Sequence, residues 1–342
     1  MFSFILRRLA NLPAQLIAVT LIVVILTQLI PPEQRARGFV KKKEDLQRLD
    51  QIIERHGLNK PFHVQYWSWL SEALRGNLGF SQLSGKTVVA TFRERLPATL
   101  ELSLFAFPPI VILGIWLGVS AALNKNRWLD KILSFLAVSS YSLPTFVVAF
   151  YLLALFYGGF HLLPGIGNIS NENSLYLITG DIKRYTGLLS IDTLLSGQWA
   201  AFFDVLRHLF LPVTTMVIFS SAIIMQSARS SLLETLSSDF VRTARAKGLS
   251  NRTVNFKHAL RPAFLTVVTL SVWQLGALLT GSIFVESIFG YPGVGQWGAQ
   301  AASSADYPSL LGFTLFSAFV VILTNLLGDI LYTVVDPRVR YE

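Results

Sequence analysis

The sequence predicts an all-α polytopic membrane protein with six transmembrane helices, and three observations predict it. Hydrophobic residues fill 52% of the 342 positions and charged residues only 14%, with a mean hydropathy of +0.51. Soluble domains carry about 25% charged residues. The apolar residues also come in blocks: 9–30, 98–122, 132–157, 208–228, 263–285 and 309–333. Each reaches the roughly 20 residues that carry a helix across a bilayer. Finally, the basic residues sort by side. With the N-terminus in the cytoplasm, that side holds Arg7, Arg8, Lys125, Arg127, Lys131, seven cations in 229–262, Arg338 and Arg340, whereas the two shorter outside loops hold Lys183, Arg184 and Arg207. The outside segment 31–97 holds twelve Lys and Arg, but long segments cross whatever their charge, so the short loops decide and place both termini inside. The net charge of +9 therefore reports orientation rather than a nucleic-acid partner.

The elements follow in order. Leu9 to Ile30 is too long for a signal-peptide core, and no small-x-small cleavage site follows it, so it reads as a retained span, stopped by Pro31-Pro32. Residues 31–97 form a helical extracytoplasmic insert. Within it, Glu44 to His56 predicts an amphipathic helix with Leu46, Leu49, Ile53 and His56 on one face and Gly57 as its stop. Pro61 to Arg75 predicts a second helix, stopped by Gly76. Its Phe62, Tyr66, Trp67 and Trp69 suit either the membrane–water interface or the core of a small packed cap. Prolines 13, 108, 109, 144 and 212 punctuate the spans, and Pro262 and Pro308 stand at span starts. Breaks at membrane depth survive where protein or a water-filled cavity covers the freed backbone groups. Gly114-Ile-Trp-Leu-Gly118 fits the small-xxx-small pattern of close helix contact. Turns and short helices are expected over 158–207. Four glycines and a proline between Gly290 and Gly298 predict a tight, close-packed turn. The units are 1–97 (first span and insert), 98–333 (a core of five spans) and 334–342 (a cytoplasmic tail).

The stretch 229–262 is a basic, helix-forming island between two spans. Ser237, Ser238 or Asp239 can cap a helix start, Phe240 to Lys247 forms one short helix, and Gly248 supplies a left-handed stop. Ser250 or Asn251 caps a second helix toward Leu260. Phe240, Thr243, Ala244 and Lys247 share one face, and the surface around Ala244 and Ala246 is small enough for another backbone to approach. A docking knuckle and an ordinary solvated loop both fit this pattern. Ala-Arg-Ala-Lys-Gly-Leu-Ser-Asn-Arg-Thr-Val also imitates a DNA-binding helix-turn-helix, but tethers at both ends leave no room for a third supporting helix.

Catalytic signals are missing. Residues 79–87 imitate a phosphate-binding loop, yet five residues separate the glycines where four are needed, and no strand precedes them. No two of the five His have metal-ligand spacing on a helix. The absence of Cys excludes disulfides and thiolate chemistry. Charged residues in the spans lie near their ends, as with Glu101 and Asp329, whereas a proton relay would use one nearer mid-membrane. Asp329 fits better as a cap or ion-pair partner at the cytoplasmic interface.

Several segments together resemble the binding-protein-dependent ABC importer permeases, most closely the dipeptide/oligopeptide branch, first-subunit type. They are Arg95-Leu-Pro-Ala-Thr-Leu-Glu-Leu102, His208-Leu-Phe-Leu-Pro212, Val241-Arg-Thr-Ala-Arg-Ala-Lys-Gly-Leu249, Glu286 through Gly298, Asp306-Tyr-Pro308, Asn325-Leu-Leu-Gly-Asp329 and Asp336-Pro-Arg338. Pro31-Pro-Glu-Gln34 departs from the Pro-Gly-Asp-Pro-like turn common there. The resemblance implies a type I ABC importer permease fold in a bacterial cytoplasmic membrane. It also implies an ATPase-coupling stretch at Arg242, Thr243, Ala244, Arg245, Ala246, Lys247, Gly248 and Leu249. Implied partners are a second homologous permease, two cytoplasmic ATPases that hold the ATP and Mg, an extracytoplasmic substrate-binding protein and membrane lipid, with no cofactor or catalytic residue on this chain and no nucleic acid. Peptides lead as cargo; nickel complexes, oligosaccharides, glutathione and peptide antibiotics travel through similar permeases. An intramembrane enzyme and a membrane-tethered DNA-binding regulator are the readings from other classes.

Overall fold

The computed structural model describes residues 2–37, 40, 49–55 and 57–335. The first span is α1 (Phe2–Thr27). The insert holds α2 (Pro32–Arg37), α3 (Leu49–Arg55), α4 (Phe62–Leu74) and a hairpin of β1 (Phe80–Ser81) and β2 (Lys86–Thr87). Next come α5 (Val88–Leu123), α6 (Trp128–Ser142) and α7 (Thr145–Leu153), the last continued by a π-helical turn to Gly159. The segment after it carries α8 (Asn171–Thr179) and α9 (Leu189–Leu195), before the long α10 (Trp199–Ser237). The island is α11 (Asp239–Ala246) and α12 (Asn251–Thr253), and a π turn over Val254–Ala259 leads into α13 (Leu260–Leu279). The loop after α13 holds α14 (Ile283–Ile288) and α15 (Val294–Ser303), and α16 (Tyr307–Val335) ends the described chain.

Five continuous segments are long and apolar enough to cross a membrane: Ala10–Thr27, Val88–Leu123, Trp199–Ser237, Asn251–Ile288 and Tyr307–Leu331. The sixth, expected as one helix over 132–157, is instead a pair, Trp128–Ser142 and Thr145–Gly159, bent by 98°. The cause is Pro144. A proline pushes the residue before it out of the α region, and Leu143 is extended at φ −81° and ψ 133°. The other internal prolines do not punctuate their spans: Pro13, Pro97, Pro108, Pro109 and Pro212 all lie inside unbroken helices. Pro262 stands within α13, which is fed without a gap from Asn251, so it does not start that span.

The helices also outrun the apolar blocks. At 1.5 Å per residue the 36 residues of α5 extend about 54 Å, well beyond a hydrocarbon core of roughly 30 Å. α5 and α10 form the central pair. Glycines set their separation: a β-carbon at Gly114 would stand 2.7 Å from Ile224 Cβ, and one at Gly118 2.5 Å from the Met225 carbonyl oxygen. The expected small-xxx-small contact is thus made within the chain. α13 packs between α10 and α16. Its buried Gln274 donates to Ser220 Oγ of α10 at 2.6 Å, and Gly276 leaves room for Thr324 of α16. α1 is peripheral, touching α16 and α4.

The insert bears out its glycine stops, with Gly57 at φ +61° and Gly76 at φ +81°. α3 occupies the C-terminal half of the expected 44–56 helix and buries Ile53; residues 41–48 and 56 lie outside the described residues. Pro32 opens α2, the position where its missing N–H costs nothing. The stretch 79–87 that imitates a phosphate loop is the β1–β2 hairpin.

Candidate functional site

The knuckle of the 229–262 island is built from α11 and the chain on either side of it. Ser238 separates α10 from α11 in extended backbone (φ −72°, ψ 155°). Its hydroxyl does not cap α11 but donates back to the Thr235 carbonyl at 2.6 Å. α11 ends at Gly248, φ +75°. There Gly248 N–H donates to the Arg245 carbonyl at 3.0 Å and Leu249 N–H to the Ala244 carbonyl at 3.4 Å, the paired bonds of a glycine-terminated helix end. Ser250 then caps α12 by accepting from Thr253 N–H at 3.3 Å.

One face of α11 is fastened to the chain's own spans. Val241 and Ala244 are buried among Ala122 at the end of α5, Leu232 of α10, and Val254, Ala259 and Ala263 on the way into α13. This corrects the expected docking face. Ala244 points inward and cannot be met by another backbone. The exposed face comprises Arg242, Thr243, Arg245, Ala246, Lys247, Gly248 and Leu249, with Phe240 half exposed at 50%. Seven of the eight residues that the resemblance singles out are therefore on the surface, and the eighth is their anchor. Nearby, Arg229 of α10 makes a bidentate pair with the buried Asp130 of α6, at 2.6 and 2.9 Å. Asp130 also accepts from Asn126 N–H at 2.9 Å. A fork of this kind fixes geometry as well as charge, and it ties the start of the bent helix pair to the shaft that carries the knuckle.

The opposite end of the α5–α10 pair holds a second constellation, which sequence reasoning missed. Glu286 of α14 is fully buried and accepts from Thr99 Oγ1 of α5 at 3.0 Å and Gln296 N–H of α15 at 2.9 Å. Thr99 in turn accepts from Val294 N–H at 2.8 Å. Glu101, two residues along α5 and 1% exposed, accepts from Tyr291 Oη at 2.7 Å and Ser190 N–H of α9 at 2.6 Å. Burial first, and then the charge of Glu101, push the Tyr291 phenol well above its ordinary value, which keeps it a donor. The glycines of the predicted tight turn make room for an acid: a β-carbon at Gly293 would stand 2.5 Å from the Glu286 carboxyl carbon, and one at Gly295 3.0 Å from its Oε2. The available signal was Glu286 beside that glycine run, and Glu101 inside an apolar block. Asp306, before α16, extends the same construction. It accepts from Ser81 Oγ of β1 at 2.6 Å, Leu83 N–H at 3.1 Å and Ser309 Oγ at 3.0 Å.

Among the described residues no group of three or more His, Asp or Glu is placed to hold a metal. The segment Asp336-Pro-Arg338 lies outside the described residues.

Two family profiles match the chain: the binding-protein-dependent transport system inner membrane component over residues 114–341, and the N-terminal membrane component of the same systems over residues 1–103. The chain is 39% identical to the di/tripeptide transport system permease protein of Pseudomonas aeruginosa, covering 100% of both chains. It is 36% identical to the dipeptide transport system permease protein of Escherichia coli K12, again over 100% of both. It is 31% identical to the glutathione transport system permease protein of Salmonella choleraesuis, with 100% of both covered. Among solved structures it is similar to a chain of the inward-facing MetNI methionine ABC transporter at 17% identity and a TM-score of 0.48, covering 72% of this chain and 95% of that one.

Proposed function

The chain belongs to the family of binding-protein-dependent transport system inner membrane components, and from that premise we propose that it passes peptides, delivered by an extracytoplasmic binding protein, across the cytoplasmic membrane. It is a multi-pass permease subunit of type I importer architecture and is itself non-catalytic. Its identity to peptide permeases over the entire chain supports the peptide reading. Glutathione, the cargo named for the third relative, is itself a small peptide and stays within the same chemical class. The assembly in this reading is a second permease subunit, two cytoplasmic ATPases holding ATP and Mg, and the binding protein, with both termini of this chain in the cytoplasm. The core runs from 98 to 333, after the first span and insert of 1–97 and before the tail of 334–342.

The observation that carries the coupling role is the two-sided α11. Val241 and Ala244 fasten it to three spans, while Phe240, Thr243, Lys247 and Leu249 remain uncovered. In this reading ATP binding draws the ATPases together, the seated α11 follows, and α10 and α13 move with it. Shifting a two-state population from 1:99 to 99:1 takes about 5.5 kcal/mol of differential interaction, so a loosely tethered knuckle would dissipate the stroke. Arg242, Thr243, Arg245, Ala246, Lys247, Gly248 and Leu249 form the contact, and Ala244 positions it.

Peptide-dependent growth or uptake of labelled dipeptide, in cells whose other peptide importers are deleted, tests both parts. Gly248→Asp should abolish uptake while the chain still inserts to normal levels. Normal uptake by that variant would overturn the coupling assignment. Uptake by the unsubstituted importer that dipeptides fail to compete would overturn the peptide reading alone.

A further inference from the structure

The insert helix α4 divides its aromatic residues between two environments. Tyr66 is buried, and its hydroxyl shares a 2.9 Å hydrogen bond with Thr20 Oγ1 of α1. Gln65 accepts from Gln28 Nε2 at 3.2 Å and from Arg35 Nη1 at 2.8 Å, and Trp69 packs near Tyr66. Trp67, next in sequence to Tyr66, is 68% exposed, and Val64 and Leu74 are also exposed.

Helical geometry sorts these residues further. At about 100° per residue, Val64, Trp67, Leu70 and Leu74 fall within an arc of about 120°. The arc that meets α1 lies to one side of it and holds Tyr66 and Trp69. Ser68, Glu72 and Arg75 occupy the remainder. A helix inside a water-soluble cap needs two sectors, one buried and one wet. α4 has three: one against protein, one mainly apolar and uncovered, which also carries the exposed His63 and Ser71, and one polar.

The depth of α4 accounts for the third sector. Thr20 lies seven residues before Thr27, the end of α1, which is about 10 Å down the helix. For its phenol to reach Thr20, Tyr66 must stand about level with the outer end of α1. There Ile22 and Leu26 of α1, and Leu29 just past its end, are all more than half exposed, as expected of a peripheral span facing hydrocarbon. The uncovered sector of α4 thus adjoins a surface that already faces lipid, at the height of the headgroup boundary where Trp rings settle. Exposed Lys60 and Arg75 stand just beyond the two ends of the helix, within reach of phosphate.

We propose that α4 is a membrane-surface helix whose Val64, Trp67 and Leu74 dip into the outer leaflet, so that the insert rests on phospholipid instead of standing free in water. The absence of cysteine from the chain makes the test direct. Single substitutions Trp67→Cys, Leu74→Cys and Ser71→Cys are spin-labelled in the assembled importer in phospholipid nanodiscs. Collision with oxygen, which concentrates in lipid, is compared with collision with a water-soluble nickel chelate. Ile22→Cys gives the lipid reference and Glu54→Cys the aqueous one. The expected oxygen-to-nickel ratio at 67, 71 and 74 is several-fold above that at 54 and approaches that at 22. A ratio like that at 54 places the face in water, and exclusion of both reagents places it against protein; either overturns the proposal. Ser71→Cys changes one atom, so the test survives should loss of Trp67 prevent assembly.

Discussion

The two ends of the α5–α10 pair are built from opposite materials. The outer end is polar and locked. Glu101 and Glu286 are buried and bonded to α5, α9, α14 and α15, and glycines clear space for the Glu286 carboxylate. The inner end is apolar and half open: Val241 and Ala244 sit among alanines and branched aliphatics, and most of α11 is uncovered. A buried polar group left without its partner costs about 1–3 kcal/mol, so the outer network holds one arrangement firmly. Small apolar contacts are non-directional and allow neighbouring helices to shift while staying packed. The same two helices are therefore clamped where the insert and outer loops meet and left adjustable where a partner would push.

Four substitutions grade this contrast. The largest effect is expected from Glu101→Ala, which strands the Tyr291 hydroxyl and Ser190 N–H and should cost about 2–6 kcal/mol. The thermal unfolding midpoint in mild detergent should drop sharply; a drop of only a degree or two would mean the outer end is no lock. Next is Asp130→Ala, which leaves the mostly buried Arg229 without its fork. Breaking a fully buried pair costs about 3–5 kcal/mol, and with Arg229 reaching water the expectation falls to about 2; Arg229→Lys with Asp130 intact keeps the charge but loses the fork and should cost only a fraction of that. Gly118→Ala places a methyl against the Met225 carbonyl and the Ala228 side chain, and overpacking of this kind costs about 1–3 kcal/mol. Read-out by helix crosslinking between α5 and α10 should show the pair spread apart. Least damaging to stability is Gly248→Asp. Its φ is left-handed, but nothing lies within 4 Å of a β-carbon there, and Asp is among the residues that tolerate that region, so about 1 kcal/mol is expected. A variant that unfolds as readily as Glu101→Ala would show the knuckle to be part of the core.

Much of this was legible in the sequence, and the failures share a cause. Hydropathy located every span, because a bilayer demands long apolar runs. It understated α5 and α10, because a helix does not end where lipid ends; polar residues such as Arg93 and Glu94 continue it. Proline was read too literally. Pro108, Pro109 and Pro212 stay inside helices, whereas Pro144 breaks its span, and local composition does not distinguish them. Gly248 was read correctly because a left-handed stop is a local property. Ala244 was misplaced because which face of an amphipathic eight-residue helix turns inward depends on Leu232 and Val254, which come from different helices. The pairing of the two glutamates with their donors was invisible for the same reason: Glu101 and Tyr291 lie 190 residues apart, and no periodicity links them.

That separation also has a temporal side. At synthesis rates of about 5–20 residues per second, the 190 residues between Glu101 and its phenol partner take about 10–40 s to make. Throughout that interval α5 already exists, with Thr99 and Glu101 about a third of the way along it, and none of α14 or α15 has yet been made. The nascent chain thus carries an acid that gains the Ser190 N–H about halfway through that interval and the Tyr291 hydroxyl only at its end, so the network closes in two separate steps.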